Sequence, residues 1–379
     1  MLGSDAGLRY WAPMLGPDVE PRQGIVRRVG VLLDEFAADV RSCLTDFAHH
    51  QHAQLEPIGS HIAPLLDATA DFVTGGKLLR PAFCFAGWVT AGGDPQDRRI
   101  VSASSAFEWL QASALAHDDL MDDSDTRRGK PSLHRRFAAG HGGAGADAYG
   151  RSVAILIGDL MLSWSDSALR RAFTDPADAV RLHSALNYFD LARSEVVAGQ
   201  YLDITAHSSS EKTGVAVTTQ QSAQIMSYKS AKYTVERPLH VGAALAGAGD
   251  GLIGRLSAYA LPLGEAFQLR DDLLGVFGDP RVTGKPAGDD LREGKRTVLI
   301  ARARELADDA GRKIIDDHLG DEDRVDAVRE VIEDSGARTA VEADIDTRIE
   351  SARDALDRLP ADGHTLLAEL LVRVSHREH

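Results

Sequence analysis

The 379-residue sequence predicts an all-α protein, and three observations carry that prediction. Apolar residues recur at three- and four-residue steps along most of the chain, the alternation expected of strands is almost absent, and the breaks between periodic stretches hold clusters of Gly, Pro and Asp. The first stretch, "GIVRRVGVLLDEFAADVRSCLTDFAHH" (24–50), places Val26, Val29, Leu33, Phe36 and Val40 on one helical face. Residues 1–22 precede it as an extended or disordered leader, so the domain is expected to span 23–379. Loops follow at "TGGK" (74–77) and "AGGDPQD" (91–97), then a helix at 99–124 that stops in "RRGKPS" (127–132). The Gly-rich "AAGHGGAGAD" (138–147) reads as a surface loop before helices at 151–173, 178–206, 217–247 and 252–278. After "GDPRVTGKPAGDD" (278–290), helices are expected at 296–318, 323–335, 338–358 and 364–376.

Composition narrows the class of function. Hydrophobic residues make up 44% and charged residues 26% of the chain, enough to bury a large core. A net charge of −15 argues against nucleic acid and against a general hold on anionic lipid, so an anionic ligand needs local cations. Cys43 and Cys84 alone make no disulfide framework and no metal spacing. No apolar run approaches the length of a membrane span, and the N-terminus lacks the layout of a secretory signal. These features together predict a cytoplasmic protein.

The chemistry concentrates in "HDDLMDDSDTRRGKP" (117–131), which closes the helix at 99–124. Asp118 and Asp122 are four apart, about 40° from each other around the axis, with Asp125 near the same line. Like charges so placed repel unless hard divalent cations sit between them, as magnesium does between carboxylates and substrate phosphate. A solvated acidic helix end would carry the same residues, but Arg127 and Arg128 follow at once. A second pair, Asp271 and Asp272, ends another apolar helix. Lysines and arginines in "GGKLLRP" (75–81), "YKSAK" (228–232) and "GKPAGDDLREGKRT" (284–297) suit phosphate oxygens.

In these motifs and their order the chain resembles the trans-isoprenyl (polyprenyl) diphosphate synthases over roughly 25–376. The family's "GGKxxRP" stands as Gly75, Gly76, Lys77, Arg80 and Pro81, and its "DDxxDxxxxRRG" as Asp118, Asp119, Asp122, Arg127, Arg128 and Gly129. "GQxxD" is Gly199, Gln200 and Asp203, and "K(T/S)" is Lys229 and Ser230. "FQxxDDxxD" is Phe267, Gln268, Asp271 and Asp272, followed by "GKxxGxD" as Lys285 and Asp289, then Lys295. Gly275 stands where the family has a third aspartate in its second acidic motif, and Gln111 where many members have a histidine.

The resemblance implies the isoprenoid synthase fold: one domain of about ten or more mostly antiparallel helices around a central cavity, paired as a homodimer. It implies a prenyltransferase that condenses isopentenyl diphosphate with dimethylallyl, geranyl or farnesyl diphosphate. By the same resemblance Asp118, Asp119, Asp122, Asp271, Asp272 and Asp289 hold three Mg2+ ions, for which Mn2+ can substitute. Arg127, Lys229 and Lys285 assist departure of the allylic diphosphate, with Lys295 nearby. Lys77, Arg80, Gln111 and Arg128 hold the second diphosphate, and Ser230 and Gln268 turn dipoles toward the carbocation.

Two other readings share these residues. A class I terpene cyclase uses the same ionisation but needs no isopentenyl site, which Lys77, Arg80 and Arg128 suggest is present. A non-catalytic partner subunit would have decayed motifs, and only Gly275 points that way.

Product length follows from the helix at 99–124. In the family an aromatic five residues before the first aspartate stops growth at C15; here the position is Ser113, beside Ala114. Steps of three lead down to Leu110 and then Phe107, about 9 Å below Ser113. An isoprene unit spans roughly one helical turn. The expected main product is therefore geranylgeranyl diphosphate (C20), with farnesyl diphosphate (C15) second and a minor C25 tail, unless Phe107 and Leu110 merely pack against a neighbouring helix.

Overall fold

The computed structural model describes residues 19–213, 216–279 and 288–375. Helix α1 (Val19–Leu55) buries Leu33, Phe36, Val40, Leu44 and Ala48, one apolar stripe at three- and four-residue steps. Its first turn takes in residues 19–22, expected above to belong to a leader; the rest of that leader lies outside the described residues. Two short 3₁₀ turns lead to α2 (Ala63–Val73).

Helix α3 (Leu79–Thr90) is short and largely apolar, and no helix was expected there. Phe83, Cys84, Phe85, Ala86, Gly87 and Trp88 are all buried, as expected of a helix enclosed on every side. Helix α4 (Arg98–Met121) starts at the Asp97 cap, which accepts from the Arg99 N–H at 2.9 Å, and passes through the core. It ends before Asp125, whose carboxylate turns away to accept from Arg135 Nε at 2.8 Å, so Asp125 is not in line with Asp118 and Asp122.

The turn after α4 closes as a minimal antiparallel hairpin, β1 (Thr126–Arg127) against β2 (Lys130–Pro131). Helix α5 (Leu133–His141) then shortens the Gly-rich loop before α6 (Ala146–Ala172). The long α7 (Ala179–Thr213) follows, and α8 (Thr219–Met226) begins in a reciprocal Thr218–Gln221 capping box.

The helix expected across 217–247 changes hydrogen-bond register. Ser227–Glu236 winds as a π-helix, and the tighter α9 (Arg237–Leu245) resumes at Pro238, which cannot donate to the carbonyl four residues back. Helix α10 (Asp250–Phe277) follows. Beyond it come α11 (Asp289–Arg292), α12 (Val298–Leu306), α13 (Asp309–His318), α14 (Val325–Asp334), α15 (Ala337–Leu356) and α16 (Ala361–Ser375). The helix expected over 296–318 breaks at Ala307, because the Asp308 carboxylate caps a new start by accepting from the Gly311 N–H at 2.8 Å.

Two apolar clusters fill the interior, and α10 belongs to both. Leu256, Tyr259, Ala260 and Leu263 join the larger one with α3, α4, α6 and α9, while Ala266, Leu269, Leu273 and Val276 join a smaller one with α12, α14 and α15. Helices α3 and α9 meet backbone to backbone. A Cβ on Gly87 would lie 2.1 Å from the Leu239 carbonyl oxygen, and one on Gly242 would lie 1.8 Å from that of Cys84, so neither position admits a side chain.

Candidate active site

Three elements meet where α4 ends. Asp118 and Asp122 cap its last turn, with the Asp122 N–H donating to the Asp118 carbonyl at 2.9 Å. From α7, Gln200 Nε2 donates to Asp118 Oδ1 at 2.9 Å, and Asp203 accepts from Lys229 Nζ at 2.6 Å. Lys229 Nζ also lies 3.8 Å from Asp118. It reaches there from the π segment, which two glycines clamp. A Cβ on Gly199 of α7 would come 2.5 Å from the Lys229 nitrogen, and one on Gly264 of α10 would come 2.7 Å from the Ala231 carbonyl oxygen. The wide turn that carries Lys229 and Ser230 is thus held on both faces by bare backbone, a common use of π geometry at functional sites.

Ser230 continues the linkage to the second acidic pair. Its hydroxyl donates to Gln268 Oε1, and Gln268 Nε2 donates to Asp272 Oδ1 at 2.8 Å. The two residues assigned as separate dipoles therefore act as one bonded unit. Asp272 is buried, and that burial, with Asp290 and Asp271 beside it, pushes its carboxyl up to about 8. Asp122 is pushed up to about 6, first by the protein crowding its inner side and then by Asp118, against the pull of Lys229 and Lys295. Lys295 thus faces both acidic pairs. Its ammonium bonds Asp290 at 2.9 Å and Glu293 at 2.5 Å, and these carboxylates hold its pKa above the usual range although burial alone would lower it.

Asp119 differs from its neighbours. It is 1% exposed where Asp118 is 28% exposed, and Arg127 grips it through Nε at 2.8 Å and through Nη2. The structure makes Asp119 the buried partner that orients Arg127, rather than presenting it beside Asp118 and Asp122 as the grouping of metal candidates expected. Arg127 Nη2 in turn lies 3.9 Å from Asp118.

The other cationic group gathers around the Gly75–Gly76 turn. Arg128, at φ 53°, stacks over the turn so closely that a Cβ on Gly75 would fall 2.4 Å from its Nη1, and it donates to the Phe72 carbonyl at 3.3 Å. Arg80 donates to Thr234 Oγ1 at 3.0 Å and lies 4.4 Å over the Tyr233 ring, while its buried Nε has no protein acceptor. Buried Glu108 sits under both guanidiniums; burial raises its pKa, opposed by Arg80 and Arg128. Gln111 also reaches the interior with an unpaired Oε1. Lys77 is exposed on the same loop.

Of the remaining candidates, Asp271 lies half-buried beside Asp272, and Lys285 falls outside the described residues. Asp289 opens α11, but the residue that reaches the second acidic pair is Asp290. The "GKxxGxD" spacing counted from Lys285 also arrives at 290, so the assignment of Asp289 is corrected by one position. Glu293 was likewise not singled out, since one glutamate in a charged run carries no signal by itself. Along α4, Phe107, Leu110 and Ser113 are buried and Ala114 half-buried. Phe107 meets Phe189 of α7 edge-on, with ring centres 5.2 Å apart, so a neighbouring helix does contribute to that level of the core.

Among the described residues, no three carboxylate, imidazole or thiol groups converge tightly enough to hold an ion unaided. The donor set still fits magnesium, which is commonly bound by one or two carboxylates and completes its shell with water and substrate phosphate.

The model of the polyprenyl synthetase family matches residues 63–335. The chain belongs to the polyprenyl synthetase family. The crystal structure of geranylgeranyl pyrophosphate synthase from Corynebacterium glutamicum, complexed with isoprenyl diphosphate and magnesium, superposes with a TM-score of 0.84 at 36% identity, covering 91% of this chain and 99% of that one. A short chain isoprenyl diphosphate synthase from Methanothermobacter thermautotrophicus is 30% identical over 347 residues, 90% of this chain and 99% of the relative. A geranylfarnesyl diphosphate synthase from Aeropyrum pernix is 31% identical over 290 residues, 76% of this chain and 85% of the relative. This polyprenyl synthetase has the isoprenoid synthase fold and is a trans-prenyltransferase acting on prenyl diphosphates.

Proposed function

We propose that this polyprenyl synthetase condenses isopentenyl diphosphate with dimethylallyl, geranyl and farnesyl diphosphates, and that its main product is geranylgeranyl diphosphate. The observation that carries the reading is the Lys229–Ser230 step: Lys229 Nζ lies 3.8 Å from Asp118, and Ser230 bonds through Gln268 to Asp272, so one short segment faces both acidic pairs.

Asp118 and Asp122 on one wall and Asp271 and Asp272 on the other offer only oxygen ligands. Asp118, Asp122, Asp271 and Asp272 would hold magnesium between these walls, three ions in the fullest reading with manganese as a substitute, and the metal would supply positive charge to the diphosphate. Lys229, Arg127 and Lys295 stand ready to donate to that diphosphate, and Asp119 holds Arg127 in place for it. Lys77, Arg80, Gln111 and Arg128 bind the second diphosphate, with the unpaired Arg80 Nε and Gln111 Oε1 aimed inside. Fixing both diphosphates sets the isopentenyl double bond beside the allylic carbon. The allylic C–O bond breaks with its electron pair leaving on the diphosphate, the double bond attacks, and a proton departs to the released pyrophosphate. The Ser230–Gln268 unit turns its dipoles toward the transient positive charge.

Several features of the molecule support the finer points. Ser113 and Ala114 leave no aromatic block near Asp118, and Phe107 with Phe189 closes the column below them, which favours C20. Tyr149, Ile155 and Leu156 of α6 and Val197, Tyr201 and Ile204 of α7 are exposed apolar side chains of the kind a homodimer covers. Among the described residues α6 alone is long and apolar enough to cross a bilayer, and half of that window is buried within the protein. Cys43 and Cys84 are free thiols, in keeping with a cytoplasmic setting. Site residues drawn from α3 to α11 support one domain across 23–379.

The test is incubation of the purified protein with magnesium, labelled isopentenyl diphosphate and each of the C5, C10 and C15 allylic diphosphates, with the products resolved by chromatography. C20 diphosphate from every starter is expected. Hydrocarbon or alcohol from an allylic substrate alone would show a cyclase, and no product at all would show a non-catalytic subunit.

A further inference from the structure

One group of charges lies outside the site described above. Glu195 of α7, Lys232 and Glu236 of the π segment and Arg237 at the start of α9 bond to one another, with Glu236 and Arg237 buried and the other two largely so. Lys232, one of the lysines suited by type to a phosphate oxygen, is thus taken up by carboxylates 3.3 and 3.6 Å away. On its other side Arg237 donates from Nη1 to His240 Nδ1 at 3.1 Å. Burial pushes the His240 ring down to about 4, so it is neutral, and its one proton sits on Nε2, 3.0 Å from Ser257 Oγ of α10. Arg237 is therefore fixed from α7 by Glu195 and from α10 through His240.

The carboxylate of Glu195 serves two residues at once. Arg237 donates to it from Nε and from Nη2, both at 2.7 Å, and Lys232 Nζ lies 3.6 Å from it. Those two residues are also joined in the backbone, where the Arg237 N–H donates to the Lys232 carbonyl five residues back and closes the last π turn. Residues five apart on an α-helix stand about 140° apart around its axis and point away from a common partner. The wider turn brings them to one side, so Glu195 matches the π register and not the regular one. Stability alone does not account for such a group, because apolar residues of similar volume are commonly at least as stabilising as a buried ion pair, whose best-attested use is to fix one register among several.

The register matters to the site because α9 cannot turn to absorb a change. Its Gly242 lies bare against the Cys84 carbonyl. Loss of the wide turn is passed instead toward Ser230 and Lys229, and each residue of shift rotates them about 100° around the axis.

We propose that Glu195 is a positioning residue for prenyl transfer: by holding Lys232 and Arg237 together it selects the π register, which carries Lys229 to Asp118 and Ser230 to Gln268. The inference rests on the roles proposed above for Lys229 and Ser230. It adds that the segment is held from α7 at two points one turn apart, Gly199 against Lys229 and Glu195 against Arg237.

The experiment compares the full-length protein with Glu195→Gln and with Glu195→Ala/Lys232→Met, which removes one charge of each sign and so leaves the remaining pair balanced. Each is crystallised, melted, and assayed for steady-state kinetics with farnesyl diphosphate, isopentenyl diphosphate and magnesium. In both variants the Arg237 N–H is expected to move from the Lys232 carbonyl to that of Tyr233, and kcat to fall about 10- to 100-fold. The double variant is expected to melt at or above the parent temperature, so that its loss of kcat cannot be laid to a weaker fold. A folded variant that keeps the bond to the Lys232 carbonyl, or that loses it and keeps the parent kcat, overturns the proposal. If the parent protein forms no elongated prenyl diphosphate, the prenyl-transfer reading fails, while the bond that Arg237 makes in the variant crystals still decides whether Glu195 sets the register.

Discussion

Asp272 is held by Gln268 in a dry setting and has its carboxyl raised to about 8, so in the metal-free protein its ionisation opposes folding. The unfolded chain releases that proton near pH 4 and the folded one only near pH 8. Between these values the folded state binds more protons, and stability falls as pH rises. Asp122 adds in the same direction up to about pH 6, more weakly because water reaches it. The melting temperature of metal-free protein should therefore decline from pH 5 to 8. Asp272→Asn should melt at least about 2 °C higher than the parent at pH 8 and no higher at pH 4, as differential scanning calorimetry would show. Asp118→Ala and Asp122→Ala should stay folded by circular dichroism yet lose turnover to background; near-normal activity in either would remove the metal assignment. For the second diphosphate, Lys77→Ala should raise the Michaelis constant for isopentenyl diphosphate about 10-fold or more and leave that for the allylic substrate nearly unchanged. An equal rise in both would contradict the division of the two sites.

Between residues and the fold stand the elements, and here the π segment sets the tolerance of the site. Gly199→Ala would drive a methyl group into the Lys229 backbone, where nothing flexible can yield. We expect about a 10- to 100-fold loss in kcat from misplacing Lys229 and Ser230, with helix content kept. Gly140→Ala in α5, where a Cβ meets nothing within 4 Å, should leave kcat at the parent value. Legibility in the sequence divides along the same line. Amphipathic helices such as α1 were readable because one face is wet and the other dry. Helix α3 was not, because six consecutive residues, Phe83 to Trp88, are all buried and blur the contrast between a wet and a dry face. The π register of Ser227–Glu236 leaves no mark in composition, since it arises from contacts with Gly199 and Gly264 brought from distant helices. The break at Ala307 did have a signal, the capping carboxylate of Asp308, overridden by the apolar period running through it.

At the scale of the whole molecule, the acidic motifs and their order were legible because their spacing is local, whereas what faces what was not. The bridging place of Lys295 and the arrival of Asp290 over Gly275 depend on how separate helices dock, and the pairing of Asp119 with Arg127 depends on the hairpin that folds back after α4. The same holds for the product. The ladder Ser113, Leu110, Phe107 could be counted along one helix, but Phe189 enters from α7. Ser113→Phe should shorten the main product to C15, while Phe107→Ala and Phe189→Ala should each lengthen it. Unchanged chromatographic profiles in all three would show that this aromatic pair does not measure the chain. Helices α3 and α9, more than a hundred residues apart in the chain, touch through the bare backbones of Gly87 and Gly242. An amide locked in such a contact has no local route to water, because the two helices cannot separate without dismantling the core around them. In deuterium exchange, peptides from α3 should be the last to label, at a rate that tracks global unfolding. Those spanning α11 and the Lys295 turn should label far sooner and slow when metal and pyrophosphate are added. The enzyme would then carry its own two clocks, one timing the opening of the site and the other the lifetime of the fold.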